Sequence, residues 1–113
     1  MDDLIKQKCV PCEGNVKPLS GDQLAPYLKQ SPHWILVEGS KLQREIECKN
    51  FNQAIELVNS IAKIAEEEDH HPNIYLHDYN KVMLTLYTHA ISGLSKNDFI
   101  VAAKINTVVE KSL

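Results

Sequence analysis

The sequence contains no apolar run near the roughly 20 residues that a bilayer-spanning helix needs. Its first residues, Met1-Asp2-Asp3, are acidic, whereas a secretory leader is basic and then apolar. Glycine and proline are scarce, with 4 and 5 residues, which excludes a collagen-like or low-complexity chain. We therefore expect the 113 residues to form one globular domain, not bound to a membrane, in the cytoplasm or in the nucleus.

Clusters of basic residues are also missing. The 12 Lys and Arg residues are scattered among 15 Asp and Glu residues, and the formal net charge is −3. Affinity for a phosphate backbone requires clustered positive charge. We expect no direct binding of nucleic acid.

Cysteine is rare, with Cys9, Cys12 and Cys48 only. An odd number of cysteines in a reducing compartment argues against a fold held together by disulfides. Cys9 and Cys12 have the spacing of a metal or redox pair, but a zinc site needs a second pair, and a redox site needs a strand-to-helix setting. We interpret the pair as incidental, and its role stays open.

The residues that are present predict alternating helices and hairpins. Residues 1–19 show no sustained period and are expected to form an irregular leader, followed by a single domain over 20–113. Ser20 and Gln23 form a capping-box pattern before a short helix that Pro26 limits. A β-hairpin is predicted next, with strands over 34–37 and 42–47.

A strong helix should follow, capped by Asn50 and Gln53 and stopped by Pro72. A second hairpin is predicted over 73–79 and 81–89, with His89 ending its second strand. The expected apolar face of the helix consists of Phe51, Ala54, Ile55, Val58, Ile61, Ala62 and Ala65.

The last helix should begin at Ser95, with Asp98 completing a capping box. Its broad apolar stripe is interpreted as a surface for self-association. The stripe contains Phe99, Ala102, Ala103, Ile105, Val108 and Val109. The order α-β-β-α-β-β-α predicts an α+β fold, with a four-stranded antiparallel sheet and three helices on one face.

Three of the five histidines, His70, His71 and His89, fall at the predicted ends of elements, where functional groups are commonly placed. Histidine can give and take a proton near neutral pH, so this set favours general acid–base catalysis. Four carboxylates, Glu66 to Asp69, directly precede the first two histidines and favour their charged form. Adjacent His70 and His71 should diverge in extended chain, which disfavours a shared metal ion.

Other polar and aromatic residues are explained more simply by structure. Asp98 is accounted for as a helix cap. Trp34 and Tyr79 are expected in the core or sheet, and His33 and His77 on the surface. If no histidines followed them, the carboxylates at residues 66–69 would be interpreted as the solvent-exposed end of a helix.

Several motifs together resemble the pterin-4a-carbinolamine dehydratase family. The resemblance covers roughly residues 20–110. It is carried by Glu66-x-x-x-His70-His71-Pro72, Tyr79-Asn80-Lys81-Val82, Thr88-His89, Gly93-Leu94-Ser95 and Asp98, and it extends back through Trp34 and Phe51-Asn52-Gln53-Ala54.

This resemblance implies dehydration of 4a-hydroxytetrahydropterin to quinonoid dihydropterin and water, in support of tetrahydrobiopterin recycling. It also implies a homodimer or homotetramer that needs no metal and no organic cofactor. His70 and His89 match the general acids towards the leaving hydroxyl, and His71 matches the histidine that binds and orients the pterin.

The remaining positions of the matched site are substrate-binding or supporting. Asp69, Tyr87, Thr88 and Ala90 match segments that line the ring site, although Ala90 stands where a carboxylate is common. Glu66 and Asp98 match carboxylates that position the histidines.

Two functions of other classes compete with the enzyme. Some animal members of the family that the chain resembles also act as dimerisation cofactors for a transcription factor, so a coactivator-type binding module is the alternative. An inactive scaffold or assembly factor with the same fold is a third hypothesis. The intact set of three histidines favours the enzyme over both.

Overall fold

The computed structural model of the chain describes residues 3–11 and 16–113. The predicted fold is confirmed: one four-stranded antiparallel sheet carries three α-helices, with the strands in the order β1-β2-β4-β3. The helices are α1 (Leu24–Lys29), α2 (Phe51–Glu68) and α3 (Lys96–Ser112), and the strands are β1 (Ile35–Val37), β2 (Lys41–Glu47), β3 (Asn73–His77) and β4 (Lys81–Leu86). Within the described residues, no helix is long and apolar enough to span a bilayer.

The caps that the sequence predicts are present in the structure. Ser20 and Gln23 form a capping box at a short 3-10 turn that leads directly into α1. The Asn50 side chain accepts a hydrogen bond from the Gln53 backbone amide at the start of α2. These bonds satisfy backbone donors that a helix leaves unpaired in its first turn.

Strand β4 lies in the middle of the sheet and shows the alternation that the sequence predicts. Val82, Leu84 and Leu86 are fully buried, while Met83 and Thr85 are only partly buried on the other side. Successive strand residues point to opposite faces, so one face of β4 packs against the helices. Strand β4 pairs with β2 on one side and β3 on the other, in unbroken antiparallel register.

Helix α2 buries a face that is rotated from the predicted one. Phe51, Ile55 and Ala62 were expected in the core but are exposed. Leu57 and Glu68 are buried instead, and the buried set is Ala54, Leu57, Ile61, Ala65 and Glu68. The apolar pattern alone could not choose between two overlapping stripes on the same helix.

Helix α3 is buried almost all round, and this corrects the interpretation of its apolar stripe as a surface for self-association. Phe99, Ile105 and Ala102 are 0% exposed, because α3 packs against α2, α1 and the N-terminal turn Leu4–Lys6. Leu4 itself is buried in the core. The stripe is therefore covered within the chain, in part by the leader.

Two element ends differ from their predicted positions. Helix α2 ends at Glu68, before Pro72, because Asp69 takes a left-handed conformation with φ 50° and ψ 43°. Strand β4 ends at Leu86, so His89 does not end a strand and lies in a 3-10 turn, His89–Ile91. Asp is one of the residues that tolerate the left-handed region.

Candidate active site

Residues 69–71, which follow α2, place the side chains of His70 and His71 in different environments. The left-handed Asp69 turns the chain, and the His70 amide donates to the Ala65 carbonyl oxygen at 3.1 Å. This bond closes the helix end. The histidines lie just beyond the helix, where neighbouring side chains can point in different directions.

His70 is held by a buried carboxylate. Its Nε2 lies 2.6 Å from Asp98 Oδ1, and Asp98 is 0% exposed. Asp98 Oδ2 also accepts hydrogen bonds from the Thr88 hydroxyl at 2.8 Å and from the Ser95 amide at 2.9 Å. Asp98 is therefore both the helix cap that the sequence predicts and the group that orients His70.

The Asp98 contact has a consequence for the proton chemistry of His70. A carboxylate is an acceptor only, so Nε2 must carry the hydrogen that it receives. The other ring nitrogen, Nδ1, is then the atom at which His70 can accept or release a proton. Asp98 thus sets both the tautomer and the orientation of the ring.

His71 is paired with a carboxylate in a more open setting. Its Nε2 lies 2.5 Å from Glu66 Oε2, and the two side chains are 55% and 77% exposed. An exposed pair of this kind is weak and can rearrange when a ligand binds.

His89 is reached through a short irregular connection after β4. Thr88 and Gly93 form an isolated bridge, which closes the turn that presents His89. The His89 and Tyr87 rings are in contact, with centroids 4.2 Å apart. A side chain at Gly93 would clash, because a Cβ there would lie 2.7 Å from Pro18 Cβ.

A cleft of about 600 Å³ brings most of the predicted site residues together. Predicted residues that line it are Asp69, His70, His71, Tyr87, Thr88 and His89. Glu66, Ala90 and Asp98 do not line this cleft. Glu66 is bonded to His71 and Asp98 to His70, while Ala90 is exposed on the turn after β4. Among the described residues, no three His, Cys, Asp or Glu side chains are grouped to hold a metal ion.

Five further residues line the same cleft and were not predicted as site residues: Cys9, Val10, Pro11, Glu68 and Asn97. Glu68 could have been found, because it continues the buried spacing of Leu57, Ile61 and Ala65 on α2. Burial alone would raise the pKa of Glu68, but hydrogen bonds from Lys104 and the Cys9 amide, with the Lys104 charge, lower it. The spacing of Cys9 to Cys12 suggested only a metal or redox pair, and no pattern in the sequence indicated Val10, Pro11 or Asn97.

The cysteine at the cleft is a neutral thiol. Burial and the nearby Glu68 carboxylate raise the pKa of Cys9 to about 12. Reactive cysteines instead have a lowered pKa. Cys9 and Cys48 are free thiols, and Cys12 lies outside the described residues.

The fold and cleft define a small α+β protein with three histidines at one site. The family model for pterin 4 alpha carbinolamine dehydratase matches residues 17–108, and the chain belongs to this family. The relatives include bacterial proteins named "Putative pterin-4-alpha-carbinolamine dehydratase". One from Nitrosospira multiformis is 43% identical over 97% of this chain and 96% of its own length. Another, from Rubrobacter xylanophilus, is 39% identical over 94% of this chain and 98% of its own length.

A solved structure also matches the fold. It is described as a transcriptional coactivator/pterin dehydratase from Brucella melitensis, and it is 30% identical in sequence with a TM-score of 0.75. The match covers 81% of this chain and 98% of that one. The predicted family and fold are thereby confirmed.

Proposed function

We propose that the chain catalyses the dehydration of 4a-hydroxytetrahydropterin to quinonoid dihydropterin and water, and so supports tetrahydrobiopterin recycling. The observation that carries this proposal is that His70, His71 and His89 all line one cleft. Its volume of about 600 Å³ is within the range of small-molecule sites. Membership of the dehydratase family supports the same reaction.

The reaction needs proton transfer and no change of oxidation state. The C4a–O bond breaks, the N5 lone pair forms the C4a=N5 double bond, and the N5 proton leaves. An acid must protonate the departing hydroxyl, and a base must accept the N5 proton. Histidines can do both near neutral pH, and such help is worth about 100- to 10,000-fold in rate.

The environments of the histidines suggest a division of roles. His70 has its orientation set by buried Asp98, so its Nδ1 can be aimed at one substrate atom. We assign proton transfer to His70 and His89. His71, exposed and loosely paired with Glu66, is assigned to binding and orienting the pterin ring.

The proposal is tested by generating 4a-hydroxytetrahydropterin in a stopped-flow instrument and following its ultraviolet decay. The wild type should accelerate the decay, and His70→Ala, His71→Ala and His89→Ala should each reduce the acceleration while remaining folded by circular dichroism. His33→Asn is the matched control, because His33 is exposed, has a φ of 75° that Asn tolerates, and does not line the cleft. Decay at the spontaneous rate with wild type would sink the proposal.

We further propose that the chain acts as a homodimer or homotetramer. Support comes from apolar side chains that the fold leaves exposed, among them Phe51 at 51% on α2 and Tyr75 at 64% on edge strand β3. Light scattering after size exclusion measures the mass directly. A monomer at micromolar concentration would contradict this part of the proposal.

A coactivator-type binding module has less support. A transcription-factor partner would need an exposed helical surface, and the apolar stripe of α3 is packed inside the chain. The name of the Brucella structure includes a coactivator function, which is a statement about that protein. The dehydratase assay above separates the two, since a binding module would leave the spontaneous rate unchanged.

A further inference from the structure

Residues 9–11 form one side of the histidine cleft. Cys9, Val10 and Pro11 all line it, together with Glu68 of α2 and with residues 87–89, which follow β4. Val10 and Pro11 also line a second cleft of about 260 Å³. Hydrogen bonds hold this short segment in place.

Two side chains supply those hydrogen bonds. The Cys9 amide donates to Glu68 Oε1 at 2.8 Å, and Glu68 Oε2 accepts from Lys104 Nζ at 2.6 Å. Asn97 contacts Val10 twice: its Oδ1 accepts from the Val10 amide at 3.1 Å, and its Nδ2 donates to the Val10 carbonyl oxygen at 2.6 Å. Glu68 and Asn97 are both buried.

The residues that fix this segment adjoin those that fix His70. Asn97 is next to Asp98 in the first turn of α3, and Glu68 is two residues before His70. Residues 97 and 98 of α3, and residues 68–70, thus hold both the segment 9–11 and the His70 ring. The distance between residues 9–11 and His70 is set by short, buried connections.

We propose that residues 9–11 are an N-terminal wall of the pterin site, and that Glu68 and Asn97 are positioning residues that hold this wall against the substrate. The inference rests on the proposed dehydratase function. Residues 9–11 lie outside the range 17–108 that the family model matches.

The chemistry of the N-terminal wall suits a neutral, planar ring. Val10 and Pro11 present apolar groups, and Val10 is 67% exposed and free to be covered by a ligand. Cys9 contributes an uncharged thiol, because burial and Glu68 raise its pKa to about 12. Contact with such a wall adds binding energy and excludes water without supplying a proton.

Two variants that act by different routes test the wall. Asn97→Ser removes both bonds to Val10, and a double change, Val10→Gly with Pro11→Gly, removes the apolar groups but leaves Asn97 in place. Each should raise KM about tenfold, which corresponds to about 1.4 kcal/mol, while kcat stays within about twofold. Glu56→Gln, at an exposed position of α2 away from the cleft, is the matched control and should change neither.

Pterin binding and amide exchange separate this inference from the proposed function. The intrinsic fluorescence of pterin gives its affinity without catalysis, and both wall variants should bind it about tenfold more weakly than wild type. The Val10 amide should exchange slowly with solvent in wild type and rapidly in Asn97→Ser. An active wild type whose wall variants keep normal KM and pterin affinity overturns the inference alone. A wild type that is inactive and binds no pterin overturns both.

Discussion

His70 and His71 are neighbours in the chain but have opposite environments. His70 is 12% exposed and bonded to a carboxylate with no exposure, whereas His71 is 55% exposed and its partner Glu66 is 77% exposed. The left-handed Asp69 between α2 and the histidines makes this difference possible. A fixed ring suits proton transfer at a defined atom, and an adjustable ring suits ligand binding.

The largest effect is expected from Asp98→Ala, which leaves the His70 ring without its buried carboxylate partner. Three hydrogen bonds are lost, and the Thr88 hydroxyl and Ser95 amide lose their buried acceptor. Stability should fall by about 3 kcal/mol, measured by urea unfolding. The dehydration rate should fall on the order of 100-fold.

Asp98→Asn distinguishes the contribution of Asp98 to protein stability from its role in positioning the His70 ring. The amide oxygen can still accept from Thr88 and Ser95, so most of the stability should return. The new NH2 group would donate towards His70 Nε2 and impose the other tautomer, so activity should remain low. Full activity in Asp98→Asn would contradict the role of Asp98 in orienting His70.

The next prediction separates the two histidines by their kinetics. His70→Ala should lower kcat by about 100-fold with little change in KM, because it removes proton transfer. His71→Ala should mainly raise KM, by about tenfold. Steady-state kinetics measures kcat and KM for both variants. Equal losses of kcat in the two variants would contradict the proposed division of roles between His70 and His71.

Most of the fold could be predicted from local patterns. Strand β4 was predicted from the alternation of Val82, Leu84 and Leu86, and the caps at Ser20, Asn50 and Ser95 fix helix starts. Helix α2 was harder, because Phe51 and Ile55 lie on a stripe that overlaps the buried one. Which stripe is buried depends on packing against α3 and the sheet, and no local pattern contains that information.

The site was predicted in part, for the same physical reason. The histidines stand out by residue type. The local pattern indicates only capping for Asp98, and its positioning role was implied by the family resemblance alone, because the contact is with a residue 28 positions away. Tyr79 was expected in the core or sheet, yet it is 64% exposed in a turn with φ 58°. Asn97 becomes recognisable as a site residue only when the leader is seen packed against it, whereas the burial of Glu68 could have been inferred from its spacing on α2.

A smaller effect is expected from Glu66→Gln, which changes the partner of the exposed histidine. The pair is open to solvent, so its loss should cost little stability. We expect a two- to threefold rise in KM and an unchanged kcat. A change in KM of this size corresponds to the free energy that an exposed ion pair usually contributes. If Glu66→Gln lost as much activity as Asp98→Asn, the difference in solvent exposure between His70 and His71 would not explain their different roles.

The smallest effect is expected from replacing His77, a histidine that is paired with carboxylates but does not line the cleft. Its Nε2 contacts Glu45 at 2.5 Å and its Nδ1 contacts Asp78 at 3.0 Å. The Glu45 hydrogen bond, followed by that of Asp78, raises the pKa of His77 above its ordinary value of 6.5. A raised pKa means that the folded state binds the proton more tightly than the unfolded state.

The contribution of His77 to stability should therefore be complete below about pH 6.5 and disappear as the pH rises through the folded-state pKa. Urea midpoints of wild type and His77→Gln should differ more at about pH 5.5 than at about pH 9. His77→Gln also removes the stacking of the His77 ring on Tyr75. That loss does not depend on the charge of Glu45, so it contributes the same difference in stability at both pH values. Glu45→Gln is the matched control, because it removes the main cause of the shift and should abolish most of the pH-dependent part. A difference of equal size at both pH values would show that the carboxylates around His77 contribute nothing to stability through its charge. The same would then be expected for Glu66 and His71, which are more exposed.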